Sequence, residues 1–134
     1  MQDLIVNNNK ESGDKMISIR GAITVINDTK EEVLGATEAL LNNIILNNDV
    51  QINDIISIIF TCTKDISSVY PAVAARELGI VNAGLICVNE MNVLNSLNKC
   101  IRVLFFVNKD ISQIEVKHIY MGEARILRPD FNIE

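Results

Sequence analysis

The chain has 134 residues, 49% of them hydrophobic, which is enough for one buried core and too little for two domains. With 12 Lys and Arg against 17 Asp and Glu the net charge is −5, and without a basic stripe neither nucleic acid nor an anionic membrane is expected as partner. No apolar run approaches the roughly 20 residues of a membrane span, and the opening MQDLIVNNNKESGDK has no basic flank before an apolar stretch, so a cytoplasmic protein is expected. Cys62, Cys87 and Cys100 are odd in number and lack CxxC spacing, which fits reduced thiols better than disulfides or zinc.

Residues 1–15 are polar and without periodicity, and read as a flexible extension before a single domain over 16–134. Met16 to Val25 alternates, with Ile17, Ile19, Ile23 and Val25 on one face and Ser18, Arg20, Ala22 and Thr24 on the other; this predicts a strand with one polar face. Thr29 followed by Glu32 fits a capping box. Val33, Thr37, Leu40, Leu41, Ile44 and Ile45 then fall on one helical stripe that runs out in Asn47 and Asn48. Ile55 to Thr63, IISIIFTCT, is apolar enough for a strand at the centre of a sheet. Pro71 suits a first helical residue, so a short helix from Tyr70 to Leu78 is expected, closed by Gly79 as a left-handed cap.

Gly84 to Val107 reads as strand, turn, short helix from near Asn92, and strand. Cys100 to Val107 is almost continuously apolar, which predicts a strand buried on both faces, yet Arg102 lies inside it. A guanidinium there needs an anion, and Glu90, in the turn after LICV, offers one; the alternative is an exposed pair making a surface salt bridge. A polar link, a helical turn at Ser112 to Glu115 and a last strand around Val116 to Met121 follow. The tail over 123–134 carries Arg125 and Arg128, and Pro129 argues against further helix or central strand. The order of elements predicts an α/β domain with a mixed sheet of about five strands and helices on one side. Its other face would be open in a monomer, which oligomerisation would cover.

The sequence has no glycine-rich phosphate loop, no GxSxG elbow, no metal-ligand cluster and one histidine, His118, so neither a nucleophilic triad nor a metal site is expected. His118 reads as a surface or sheet-edge histidine and Cys87 as a small buried hydrophobe. Arginine is what remains. Arg20, Arg76, Arg102 and Arg128 sit on or beside ordered elements and suit a substrate carrying carboxylates.

The segments IRGAITV at 19–25, YPAVAAREL at 70–78, CVNEM at 87–91, KCIRV at 99–103 and HIYMGEARILRPD at 118–130 resemble, in order and spacing, the monofunctional chorismate mutases of the trimeric AroH class. The resemblance runs from about Met16 to Asp130. It implies isomerisation of chorismate to prephenate in phenylalanine and tyrosine biosynthesis, by a pseudo α/β-barrel homotrimer with active sites between neighbouring chains and no cofactor or metal. It also implies roles. Arg102 would hydrogen-bond the ether oxygen, Arg20 would pair with the side-chain carboxylate with help from Tyr120, and Glu90, with Cys87, would hold the ring hydroxyl. Tyr70, Ala72, Arg76, Leu85 and Ile86 would line the pocket, and Leu127 and Arg128 would belong to a mobile tail closing the entrance.

That reaction, an intramolecular Claisen rearrangement, needs no acid, base or nucleophile, in keeping with the missing triad. The chain departs from the family pattern at Val73, where a lysine is common, and at Asn95 and Ser96, where a glycine pair is expected. Two other readings of the residues are a trimeric imine deaminase of the RidA type and a non-catalytic regulatory module that binds a small acid.

Overall fold

A computed structural model describes residues 15–129; the extension before Lys15 and the end of the tail lie outside the described residues. Five strands and two α-helices follow in the order β1 (Met16–Thr24), α1 (Lys30–Asn47), β2 (Ile55–Cys62), α2 (Ala72–Glu77), β3 (Gly84–Asn89), β4 (Cys100–Asn108) and β5 (Ile119–Tyr120). The sheet order is β3-β2-β4-β1-β5. β4 runs antiparallel to both β1 and β2, whereas β3 pairs with β2, and β5 with β1, in parallel. β1-α1-β2 and β2-α2-β3 are therefore two parallel crossover units, with β4 inserted between the strands of the first.

Strand periodicity divides the sheet into two unlike faces. Across β1, β4 and β2, Ile19 faces Phe105, Phe105 faces Ile58, and Val103 faces Phe60. These side chains are buried with the α1 residues Val33, Leu40, Leu41 and Ile44 and with Ala74 and Ala75 of α2 in one core. α1 starts as predicted: Thr29 Oγ1 accepts the Glu32 amide at 3.1 Å. The Glu32 carboxylate reaches further back than a capping box requires, accepting the amides of Ile26 and Asn27 at 2.7 and 3.2 Å and fixing the chain's entry into the helix. The buried Thr37 hydroxyl donates to the Val33 carbonyl at 2.7 Å, so it brings no unsatisfied polar atom into the core. α2 begins one residue after Pro71, and Gly79, at φ +94°, ends it in the left-handed conformation expected of it.

Three expectations need correction. β4 is buried on one face only: Ile101, Val103, Phe105 and Val107 are buried, while Arg102, Leu104, Phe106 and Asn108 are half-exposed, because within one chain the helices cover a single side. No helix starts near Asn92; the segment between β3 and β4 is a series of turns. Val93, Leu94 and Leu97 have helical spacing, but Asn95 at φ 65° and Lys99 at φ 48° are left-handed and break it, asparagine being one of the few residues that tolerates this. The last strand is also shorter than expected.

The crowding of α1 on the sheet is greatest at Gly21. A Cβ there would lie 2.8 Å from Ile44 Cδ1, 3.0 Å from the Ile119 carbonyl oxygen and 3.1 Å from Leu40 Cδ1. Gly21→Ala is therefore expected to cost about 1–3 kcal/mol by overpacking, read as a lower Tm in thermal unfolding; an unchanged Tm would mean that α1 can lift from the sheet at no cost.

Candidate active site

The open face of the sheet gathers the polar side chains. Arg102 lies at mid-strand in β4, with Ala22 of β1 and Thr61 of β2 as its direct register partners. Arg20 is paired with Leu104, two residues along the same face. Tyr120 of β5 sits beside Ala22 and is buried. The Glu90 amide donates to the Cys62 carbonyl at 2.8 Å. This carries the β2–β3 ladder one residue beyond β3 and turns Glu90 toward the same side. Arg20, Thr61, Glu90, Arg102 and Tyr120 thus line one cavity of about 220 Å³.

Arg102 and Glu90 do form a pair, as the apolar setting of the arginine predicted. Nη1 and Oε2 are 3.5 Å apart, with 38% and 23% of the two side chains exposed. That separation is longer than the about 2.7–2.9 Å of a strong charge-assisted hydrogen bond, and a pair this exposed adds only about 0–1 kcal/mol to stability. Its value is local charge rather than fold stability. Glu90 Oε1 accepts a hydrogen bond from the Thr61 hydroxyl, a contact that sequence reasoning missed. Thr61 carries no local signal of its own, since a threonine in a strand is ordinary; only the β2–β4 register reveals it.

The remaining residues of the expected site are dispersed. Leu127 lies with Glu90 and Arg102 around a smaller cavity of about 180 Å³ and packs against a small core of Ala22, Cys100, Tyr120 and Ala124. Arg128 follows it and acts electrostatically on His118. Tyr70 and Cys87 instead line a separate cavity of about 620 Å³. Cys87 pairs with Phe60 and Leu85 with Ile58 on the helix side of β3, while Ile86 pairs with Ile59 on the open side. Ala72 is buried in the core, and Arg76 is exposed in the last turn of α2. Within one chain, then, Tyr70, Ala72, Arg76, Leu85 and Cys87 are not brought to the Arg102 cavity.

Cys62, Cys100 and His118 are poorly suited to nucleophilic or acid–base work. Burial pushes the Cys62 thiol up to about 12 and the Cys100 thiol up to about 11, so both stay protonated at neutral pH. His118 is buried and its Nδ1 accepts the Arg20 amide at 2.9 Å, which requires an unprotonated nitrogen. Burial, then the charges of Arg20 and Arg128, hold its pKa below the ordinary 6.5. Among the described residues, no three His, Cys, Asp or Glu side chains are grouped to hold a metal ion, and no helix is long and apolar enough to cross a membrane.

Residues 16–131 match the family described as chorismate mutase type I. The chain is 40% identical over 116 residues to chorismate mutase AroH of Bacillus subtilis strain 168, covering 86% of this chain and 91% of the relative. To chorismate mutase AroH of Thermus thermophilus it is 43% identical over 113 residues, covering 84% and 93%. A solved chorismate mutase from Clostridium thermocellum superposes with a TM-score of 0.80 at 44% identity, covering 81% of this chain and 97% of that one. The chain belongs to the chorismate mutase type I family, and is by class an isomerase. All five segments on which the resemblance was read fall within the matched span, and the imine-deaminase and regulatory readings find no support among these relatives.

The buried imidazole has a consequence for stability. An unfolded His118 takes up a proton near 6.5 whereas the folded one does not, so its contribution is fully present above pH 6.5 and is lost as pH falls below it. Glu32, held low chiefly by the Ile26 amide, adds to the loss only below its ordinary 4.5. Tm is therefore expected to decline already between pH 6.5 and 4.5, and His118→Asn to flatten that part of the profile; a flat wild-type profile there would contradict a neutral buried imidazole.

Proposed function

We propose that the chain converts chorismate to prephenate by positioning and fixed charge, with Arg102 opposing the negative charge that grows on the ether oxygen as the C–O bond breaks. The observation that carries this reading is the convergence of Arg20, Glu90, Arg102 and Tyr120 on one cavity. The substrate is a flexible dicarboxylate, and its rearrangement breaks one C–O bond and makes one C–C bond without proton transfer or a bond to protein. Holding the reactive conformer and stabilising developing charge are then the available sources of acceleration. Arg20, with Tyr120, would take the side-chain carboxylate and Glu90 the ring hydroxyl.

Loss of chorismate absorbance on adding purified protein, without metal or cofactor, tests the activity directly. Arg102→Ala is expected to lower kcat about 10²- to 10³-fold, the usual loss for one preorganised donor, with a smaller change in KM. Arg102→Lys should rescue little, because an ammonium lacks the planar fork. An Arg102→Ala protein that melts early yet keeps wild-type turnover while folded would make the arginine a partner of Glu90 and nothing more.

We further propose that the working form is a cytoplasmic homotrimer in which a neighbouring chain brings its Tyr70 and Cys87 region to the Arg102 cavity, with Leu127 and Arg128 closing the entrance. In support, those two groups of residues surround different cavities, and Ile86 and Val88 are 55% and 41% exposed on the uncovered face. Light scattering during size-exclusion chromatography is expected to give three times the monomer mass, with activity lost on dissociation. A fully active monomer would remove both the trimer and the shared site.

A further inference from the structure

Building on the assignment of Arg102 to the ether oxygen, we propose that Thr61 is a positioning residue that holds the Glu90 carboxylate back from a two-point pair with Arg102. Left to themselves, a carboxylate and a guanidinium side by side close into a bidentate fork, with both oxygens engaged at about 2.7–2.9 Å. That arrangement is absent here. One oxygen, Oε2, approaches Arg102 at 3.5 Å, and the other, Oε1, is held by the Thr61 hydroxyl.

The backbone makes this choice stable. Thr61 is the direct β2 partner of Arg102 in β4, so the two side chains leave the sheet on the same face, with Glu90 touching both. Glu90 is tied to the next residue of β2 through the Cys62 carbonyl at 2.8 Å. With both ends fixed, the carboxylate has only its side-chain torsions to vary, and the stiff β-branched Thr61 settles them. Removing the hydroxyl lets the carboxylate turn onto Arg102. The fork that forms uses two guanidinium donors and compensates the positive charge, and both losses fall on the transition state, where the charge is needed.

Thr61→Val keeps the shape and removes the donor, and valine is at home in a strand. It is expected to lower kcat/KM about 10- to 100-fold, the scale of a small misplacement at a reacting centre, mostly in kcat and with little change in Tm. Thr61→Ser, which restores the donor, should recover most of that loss. A second readout separates this role from simple packing: in a Glu90→Gln background the neutral amide cannot neutralise Arg102, so adding Thr61→Val should cost almost nothing more. Equal losses in the two backgrounds, or wild-type kcat/KM in Thr61→Val, would overturn the role. Arg102→Ala assayed alongside tells the failures apart. If it is inactive while Thr61→Val is fully active, Thr61 loses its role and the Arg102 assignment stands; if both are fully active, both assignments fall.

Discussion

A sheet with helices on only one side has one face on which a charged side chain can survive. On the helix side of β4, Ile101 and Phe105 are completely buried, and an arginine there would meet a desolvation cost that no buried carboxylate among the described residues offsets. One residue along, the side chain points the other way and is half-solvated. Strand alternation therefore places Arg20, Arg102 and Tyr120 on one face, and Thr61 joins them through the β2–β4 register. The grouping of these polar side chains follows from the same period that builds the core.

That grouping depends on where β4 begins, because a slip of one residue would send Arg102 into the core. The start of the strand is held by side chains from the loop after β2. Both Asp65 carboxylate oxygens accept the Lys99 amide at 3.0 Å, and the Thr63 hydroxyl accepts the Cys100 amide at 3.0 Å while donating to Asp65. Lys99 itself is left-handed at φ 48°, a conformation that a non-glycine residue holds only when its surroundings enforce it. The polar loop thus fixes the registration of a strand that is apolar enough to slide.

How far the sequence could be read follows from which signals are local. The alternation in β1, the Thr29 cap, the stripe on α1 and the Gly79 stop are set by neighbours within a few residues, and all are found in the structure. The Arg102–Glu90 pair was legible because a charge in an apolar run demands a partner and Glu90, in the turn after the preceding apolar strand, offered one. Thr61 was not legible: its partner Glu90 lies far along the chain, and only strand order joins them. The helix expected near Asn92 fails for the opposite reason, since a local apolar spacing was outweighed by Asn95 and Lys99 in left-handed turns. The roles of individual side chains came from the family resemblance, because periodicity distinguishes faces and says nothing of substrates.

In the proposed reaction the open face is also the weak point of a single chain. Charges about 4 Å apart interact by about 1 kcal/mol in bulk water and several times more at the lower effective dielectric near a protein surface. Arg102, with 38% of its side chain exposed, is in one chain closer to the first case. A donor so screened is a poor stabiliser of growing charge, however well it is aimed. Exclusion of water must come from a surface laid over the sheet, and the Tyr70 and Cys87 region of a neighbouring chain meets that need in the proposed trimer. Assembly would then matter through dielectric as well as through the residues it brings, and the shallow solvation that lets an arginine occupy the middle strand of one chain is what a second chain would remove to make it effective.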